Sequence, residues 1–135
     1  MLLDLPSAVV GLLTTATLAA ASPKYLSGTH TEWAVSIYSG TKVGQGARHD
    51  FSDVLTGECN KCQNFPKALQ RHLHALTLDI SSGNPVQLAL YKELDCHPHS
   101  YIWQYDMNHA RSVAENIAPP GSTAMSLQVC GRTEV

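Results

Sequence analysis

The sequence predicts a small, mainly β domain held together by disulfides, and three observations carry this prediction. Several short segments place large apolar residues at every second position, as half-buried strands do. Four cysteines lie in the last two thirds of the chain. A weak internal repeat relates two of the apolar segments. With 135 residues, the chain has room for one domain.

The two clearest strands cover residues 33–38 and 86–91. In the first, Trp33, Val35 and Ile37 share one face, and the turn-forming run Ser39-Gly40 ends it. Further strands are expected at residues 47–51, 75–81, 100–105 and 124–130.

Two segments have helical spacing instead. Pro66 suits a first helical turn, so we expect a short helical turn over residues 66–71. A short helix is expected farther on, ended by the prolines at 119 and 120. The apolar residues that would line it are Met107, Ala110, Ala114 and Ile117.

The N-terminal segment predicts export. Residues 8–21 form an apolar run of 14 residues that ends in Ala-Ala-Ala before Ser22, which is typical of a signal peptide and short for a membrane span. The alternative is an ordinary buried helix. We therefore expect a signal peptide at residues 1–21, a flexible mature N-terminus at 22–31 and one β domain at 32–135, in a secreted, extracellular protein.

The four cysteines, Cys59, Cys62, Cys96 and Cys130, favour two disulfides, because an even number in a short exported chain usually pairs. The Cys-x-x-Cys spacing also occurs in zinc sites, but the other two cysteines are too far apart to form a second such pair. A redox motif would need a βαβ context that the flanking residues do not provide.

Composition excludes several classes of protein. Hydrophobic residues make up 44% of the chain and charged residues 15%, which excludes a disordered chain and a coiled coil. The formal net charge is −2 and the basic residues are scattered, so neither nucleic-acid binding nor attraction to anionic lipid is expected. We expect no stable membrane anchor.

The internal repeat relates the two halves of the chain. At an offset of 53 residues, residues 33–38 fall on 86–91, and Tyr38 matches Tyr91. Residues 62–65 fall near 114–117, and with a shorter offset residues 76–80 fall on 125–129. Two such strand-rich units would build a paired sheet structure, since neither can bury its apolar face alone.

At these residues the chain resembles the βγ-crystallin type of duplicated Greek-key domain found in small secreted fungal and bacterial proteins. The resemblance rests on an alternating strand that ends in Tyr, followed by a short loop and a Gly, at residues 37–44 and less well at 90–96. It implies two Greek-key-like β motifs packed as a sandwich. It also suggests a toxin-like, antimicrobial or host-directed role.

The sequence departs from this family where calcium would bind. Neither half carries the family's run of acidic or amide residues followed by hydroxyl residues, and calcium needs six to eight oxygen ligands. We therefore expect the calcium site to be absent or very weak, and we expect no cofactor.

The repeat also favours one disulfide pairing among the three that four cysteines allow. Cys96 falls on Val43, and Cys62 falls near Ala114. We infer that an ancestral bridge between the halves joined cysteines at the positions of Val43 and Ala114 and that both were lost together. The equivalent cysteines, Cys62 and Cys96, would then remain bonded to each other, which leaves Cys59 to pair with Cys130.

Seven histidines raise the possibility of a metal site. His72 and His74, two residues apart, would share a strand face, and two imidazoles at this spacing can bind zinc, copper or nickel. The alternative is that these histidines are scattered on the surface without a metal.

An aromatic run provides the candidate binding site. Tyr101, Trp103 and Tyr105 alternate, so in a regular strand all three rings would point the same way. They would form either part of the core or a platform that stacks on sugar rings or on a partner.

No catalytic motif is present: the sequence has no nucleophile elbow, no P-loop and no dinucleotide-binding fingerprint. The leading prediction is therefore a secreted non-enzymatic protein with an unknown extracellular partner, such as cell-wall carbohydrate or a host protein. The alternatives are a small secreted hydrolase or metal-dependent enzyme that uses the histidines, and a structural component of the cell wall.

Overall fold

A computed structural model describes residues 31–81, 86–107 and 110–131, without the side chain of Met107. In these residues the chain forms eight strands in two antiparallel four-stranded sheets. The strands are β1 (Thr31–Tyr38), β2 (Arg48–Leu55), β3 (Gln63–Asn64), β4 (Ala75–Ile80), β5 (Val86–Tyr91), β6 (Tyr101–Met107), β7 (Arg111–Ala114) and β8 (Ser126–Gly131). Short 3₁₀ turns cover Lys67–Leu69, Leu94–Cys96, Pro98–Ser100 and Gly121–Thr123.

The strand order gives two Greek-key units that exchange one strand. The first sheet has the order β2-β1-β4-β7 and the second β3-β8-β5-β6. In each half the fourth strand lies beside the first, as in a Greek key. The third strand of each half (β3 or β7) pairs in the sheet of the other half. The predicted mainly β sandwich of two Greek-key-like motifs is therefore confirmed.

The register confirms that the two halves are equivalent. In the first half Trp33 pairs with Ile80 and Tyr38 with Ala75. At the offset of 53 residues, Trp33 and Tyr38 correspond to Val86 and Tyr91 of β5. These two residues pair with Gly131 and Ser126 of β8. The fourth strands are thus related by 51 residues, and the correspondence of 76–80 with 125–129 inferred from the sequence is wrong by two.

The core lies between the sheets, where the alternating residues of both halves meet. The central strands contribute eight large apolar side chains whose exposure is 0%. They are Val35, Ile37, Leu78, Val86, Leu88, Leu90, Leu127 and Val129. In β1 and β5 these residues alternate with exposed or half-buried ones, so each of these strands has one apolar face. The other two central strands, β4 and β8, are buried along most of their length.

Both disulfides join the first half to the second. Cys62 is bonded to Cys96 and Cys59 to Cys130, so the predicted pairing is confirmed. The first bridge connects the segment before β3 to a 3₁₀ turn, and the second connects the segment after β2 to β8. The exchange of third strands brings these segments of the two halves together.

One predicted element is wrong. The segment from Met107 to Ile117, expected to be a helix, contains the strand β7. This strand pairs with β4: Ala114 lies opposite Leu76, and Arg111 lies opposite Asp79. Its apolar spacing fits a helix, but pairing with the edge of the first sheet overrides that local preference. The helical turn expected over residues 66–71 is a shorter 3₁₀ turn.

The first described strand begins at Thr31. The predicted signal peptide and residues 22–30 lie outside the described residues. In the described part of the chain no helix is long and apolar enough to cross a membrane.

A candidate ligand-binding cleft between two edge strands

The three aromatic residues of β6 do not share one face, which corrects the sequence prediction. Leu90 pairs with Trp103, but the next residue, Tyr91, pairs with Tyr101. Ile102 is therefore the extra residue of a β-bulge, and a bulge turns the side chain before it to the other face. Trp103 lies opposite buried Leu90 and faces the other sheet, whereas Tyr101 faces outward.

Trp103 and Tyr105 line a cleft of about 380 Å³ at the open side of the sandwich. The opposite wall comes from the end of β7 and the segment that follows it, in the other sheet. That wall consists of Ala114, Glu115, Ile117, Ala118, Pro119, Pro120 and Gly121. The volume lies within the range of about 300–1,000 Å³ that is usual for small-molecule sites.

The two halves differ at this position, and the difference explains the cleft. The main-chain N–H of Phe65 donates to the carbonyl of Met125, just before β8, and that of Ile117 donates to the carbonyl of His74, just before β4. Phe65 and Ile117 thus occupy equivalent positions. In the first half the ring of Phe65 packs against Phe51, with centroids 6.1 Å apart.

In the second half the smaller Ile117 faces Tyr105. Tyr105 is the equivalent of Phe51, because Val35 pairs with Phe51 and its equivalent, Leu88, pairs with Tyr105. Replacing an aromatic ring by a branched aliphatic side chain leaves space between the strands. The first half fills its edge with aromatic rings, and the second half leaves a cleft there.

The aromatic wall is accessible. Trp103 is 47% exposed and Tyr105 is half-buried against the core. Burial raises the pKa of the Tyr105 hydroxyl, so it remains protonated and able to donate a hydrogen bond at neutral pH.

Among the described residues that line the cleft, the one carboxylate is already engaged. Glu115 accepts a hydrogen bond of 2.8 Å from the main-chain N–H of Val43 and lies 3.8 Å from the ammonium group of Lys42. The charge that faces the cleft is therefore balanced, which favours an uncharged ligand.

Outside the cleft, Tyr101 belongs to a polar row on the outer face of β6. Its hydroxyl donates to Gln104 at 2.7 Å, and Gln87 donates to Asp106 at 3.2 Å. The pKa of Tyr101 is raised by burial and by the charge of Asp106. Tyr101 thus stabilises the outer surface and does not line the cleft.

The two candidate metal ligands lie before β4 rather than within a strand. The Nδ1 atom of His74 lies 2.9 Å from the carbonyl oxygen of Ser39, and a carbonyl can only accept, so Nδ1 carries the proton and Nε2 is the atom left for a metal. His72 is exposed. Among the described residues no group of three His, Cys, Asp or Glu side chains is placed to hold a metal ion. Metal binding by this pair stays a prediction.

The sequence prediction included Trp103 and Tyr105 but missed the opposite wall of the cleft. The repeat already aligned Phe65 with Ile117, and the loss of a ring at one of two equivalent positions was the available signal. Comparison with protein-family models, curated proteins and solved structures finds no match for this chain.

Proposed function

We propose that this chain is a small secreted, non-enzymatic protein of the βγ-crystallin-like type, and that it acts by binding a surface glycan through the cleft between β6 and β7. Its toxin-like, antimicrobial or host-directed role would then depend on attachment to a cell wall or cell surface. The observation that carries the proposal is the open cleft lined by Trp103 and Tyr105.

Three properties of the cleft support a neutral sugar as the ligand. The exposed Trp103 ring offers an apolar surface on which the C–H face of a sugar can stack. The hydroxyl of Tyr105 supplies a polar group at the same wall. Because Glu115 is paired with Lys42, the described part of the lining presents no unbalanced charge that would select an ionic ligand.

The exposure of Trp103 supports the same surface. In the described part of the chain five large hydrophobic residues are exposed, and of these Trp103 lines the cleft. An exposed aromatic ring at the wall of a cleft is typical of an interaction site. The two disulfides support an extracellular location, since such bonds persist in oxidising compartments.

The proposal is tested by titrating the protein with soluble chitin and β-glucan oligosaccharides in a calorimeter. We expect Trp103→Ala to weaken binding by about tenfold or more, because it removes the stacking surface. Ile117→Phe should also weaken binding, because it restores the ring that fills the equivalent site of the first half.

Val54→Ala is the matched control, since Val54 is exposed on β2, away from the cleft. Thermal unfolding of each variant checks that it is folded, and Ala118→Gln serves as a second cleft-filling variant at an exposed position. Equal affinity of wild type and both cleft-filling variants would contradict the proposed site. Binding to a host-cell protein with no affinity for any glycan would contradict the proposed ligand.

A further inference from the structure

The four edge strands of the sandwich differ in how they are protected from other strands. The edges are β2 and β7 in the first sheet, and β3 and β6 in the second. An edge strand presents unpaired main-chain groups, and proteins protect such edges with short strands, charges, proline or β-bulges. β3 has two residues and β7 has four, so both are short.

The two long edges have opposite character. β2 carries exposed charged side chains, including the ion pair in which Arg48 lies 2.9 Å from Asp50, and a further carboxylate at Asp53. β6 has seven residues, no lysine, arginine or proline, and one charge, at Asp106. Its β-bulge, at Ile102, lies near its start and leaves residues 103–107 as regular strand. Within residues 31–81, 86–107 and 110–131, no strand lies on the far side of β6.

We propose that a second copy of this chain pairs antiparallel with β6, so that two β6 strands join about a twofold axis and the second sheets of the two molecules become continuous. An extended polypeptide can pair with the main-chain donors and acceptors of this edge by continuing the sheet. This inference goes beyond the proposed glycan binding and does not rest on it.

The sequence of β6 is complementary to itself in this arrangement, which is the reason for choosing a second copy as the partner. All seven residues overlap only when Gln104 lies opposite Gln104 of the second copy. Trp103 then lies opposite Tyr105 of the second copy, and this aromatic pair occurs twice because of the symmetry. Asp106 lies opposite Ile102 of the second copy, so no like charges oppose each other.

The second copy would also extend the cleft. Tyr105 of the second copy would lie beside Trp103 on the inner face, where the ring forms one wall of the cleft. A single pair of strands makes a small interface, so we expect a reversible, concentration-dependent dimer.

The test is sedimentation velocity of the purified chain over a concentration series. Wild type should change from monomer to dimer as concentration rises. Gln104→Lys places two ammonium groups opposite each other at the twofold axis and should raise the dimer dissociation constant by about tenfold or more. Gln104 is exposed, so this variant should fold.

Two controls separate charge at the axis from other effects. Gln104→Ala removes the same side-chain hydrogen bonds without adding a charge, and Ser52→Lys adds a lysine to the other long edge, β2. Both should dimerise as wild type does, and so should Ile117→Phe, which separates self-association from ligand binding. A monomeric wild type at every concentration, or a dimer that Gln104→Lys leaves unchanged, would overturn the proposal.

Discussion

The disulfide between Cys62 and Cys96 should contribute a calculable part of the stability of the domain. It closes a loop of 34 residues between the two halves. On the loop-entropy model, a cross-link of this length destabilises the unfolded chain by about 3.8 kcal/mol. The bond between Cys59 and Cys130 spans 71 residues, and the same model gives about 4.4 kcal/mol. Because the dependence on loop length is logarithmic, doubling the loop adds only about 0.6 kcal/mol.

The two double variants, Cys62→Ala with Cys96→Ala and Cys59→Ala with Cys130→Ala, measure these contributions by urea unfolding. Each should lower the free energy of unfolding by about 4 kcal/mol, which corresponds to a fall in Tm of roughly 15–30 °C. The denaturant slope should rise in both, because the unfolded chain without the cross-link exposes more surface.

A loss below about 1 kcal/mol with an unchanged slope would refute the reasoning, because the cross-link would then not restrict the unfolded chain as the model requires. A loss far larger for the shorter loop would show that contacts in the folded state, rather than loop entropy, dominate.

Two further predictions concern single side chains. Ser126 is fully buried, and its hydroxyl accepts a hydrogen bond from the N–H of Cys96 and donates one to the carbonyl of Glu93. Ser126→Ala should lower the free energy of unfolding by about 1–3 kcal/mol in urea titration, whereas exposed Ser52→Ala should change it by less than about 0.5 kcal/mol; equal effects would contradict the buried network. Burial raises the pKa of Tyr105 in the folded state, so its contribution to stability is complete below the ordinary tyrosine pKa of about 10 and is lost as pH rises through the raised value. Spectrophotometric titration should show late-ionising tyrosines, since the pKa of Tyr101 is raised as well, and Tyr105→Phe should remove one of them. An unchanged titration curve would contradict the burial of Tyr105.

The structure of the segment from Met107 to Ile117 could not be predicted from the sequence, because it depends on contacts with a segment that is distant in sequence. The four residues that suggested a helix, from Met107 to Ile117, have spacings of three and four, which fit a helix. Their segment is nevertheless a strand in part, because it is the third strand of its half and pairs with β4 of the other half. A short segment with few large apolar residues has little local preference to oppose such pairing.

The candidate site was predictable only in part, for the same reason. Alternation along β6 identified Trp103 and Tyr105, but the bulge at Ile102, which turns Tyr101 to the outer face, depends on the register with β5. The sequence of β6 alone does not show that one of its residues will have no partner on β5, and a bulge is defined by such a residue. The opposite wall of the cleft comes from the other sheet and was not predicted.

The sequence alone predicted six of the eight described strands, the duplication and the disulfide pairing. A period of two in residues such as Trp33, Val35 and Ile37 is imposed by one buried face, and four cysteines in equivalent halves restrict the possible bridges. The tertiary structure alone decided that the halves exchange their third strands and that Ile117, rather than an aromatic ring, faces Tyr105. Both outcomes depend on which surfaces meet when the two sheets pack, and that pairing is set by the fit of the whole core, not by any local segment.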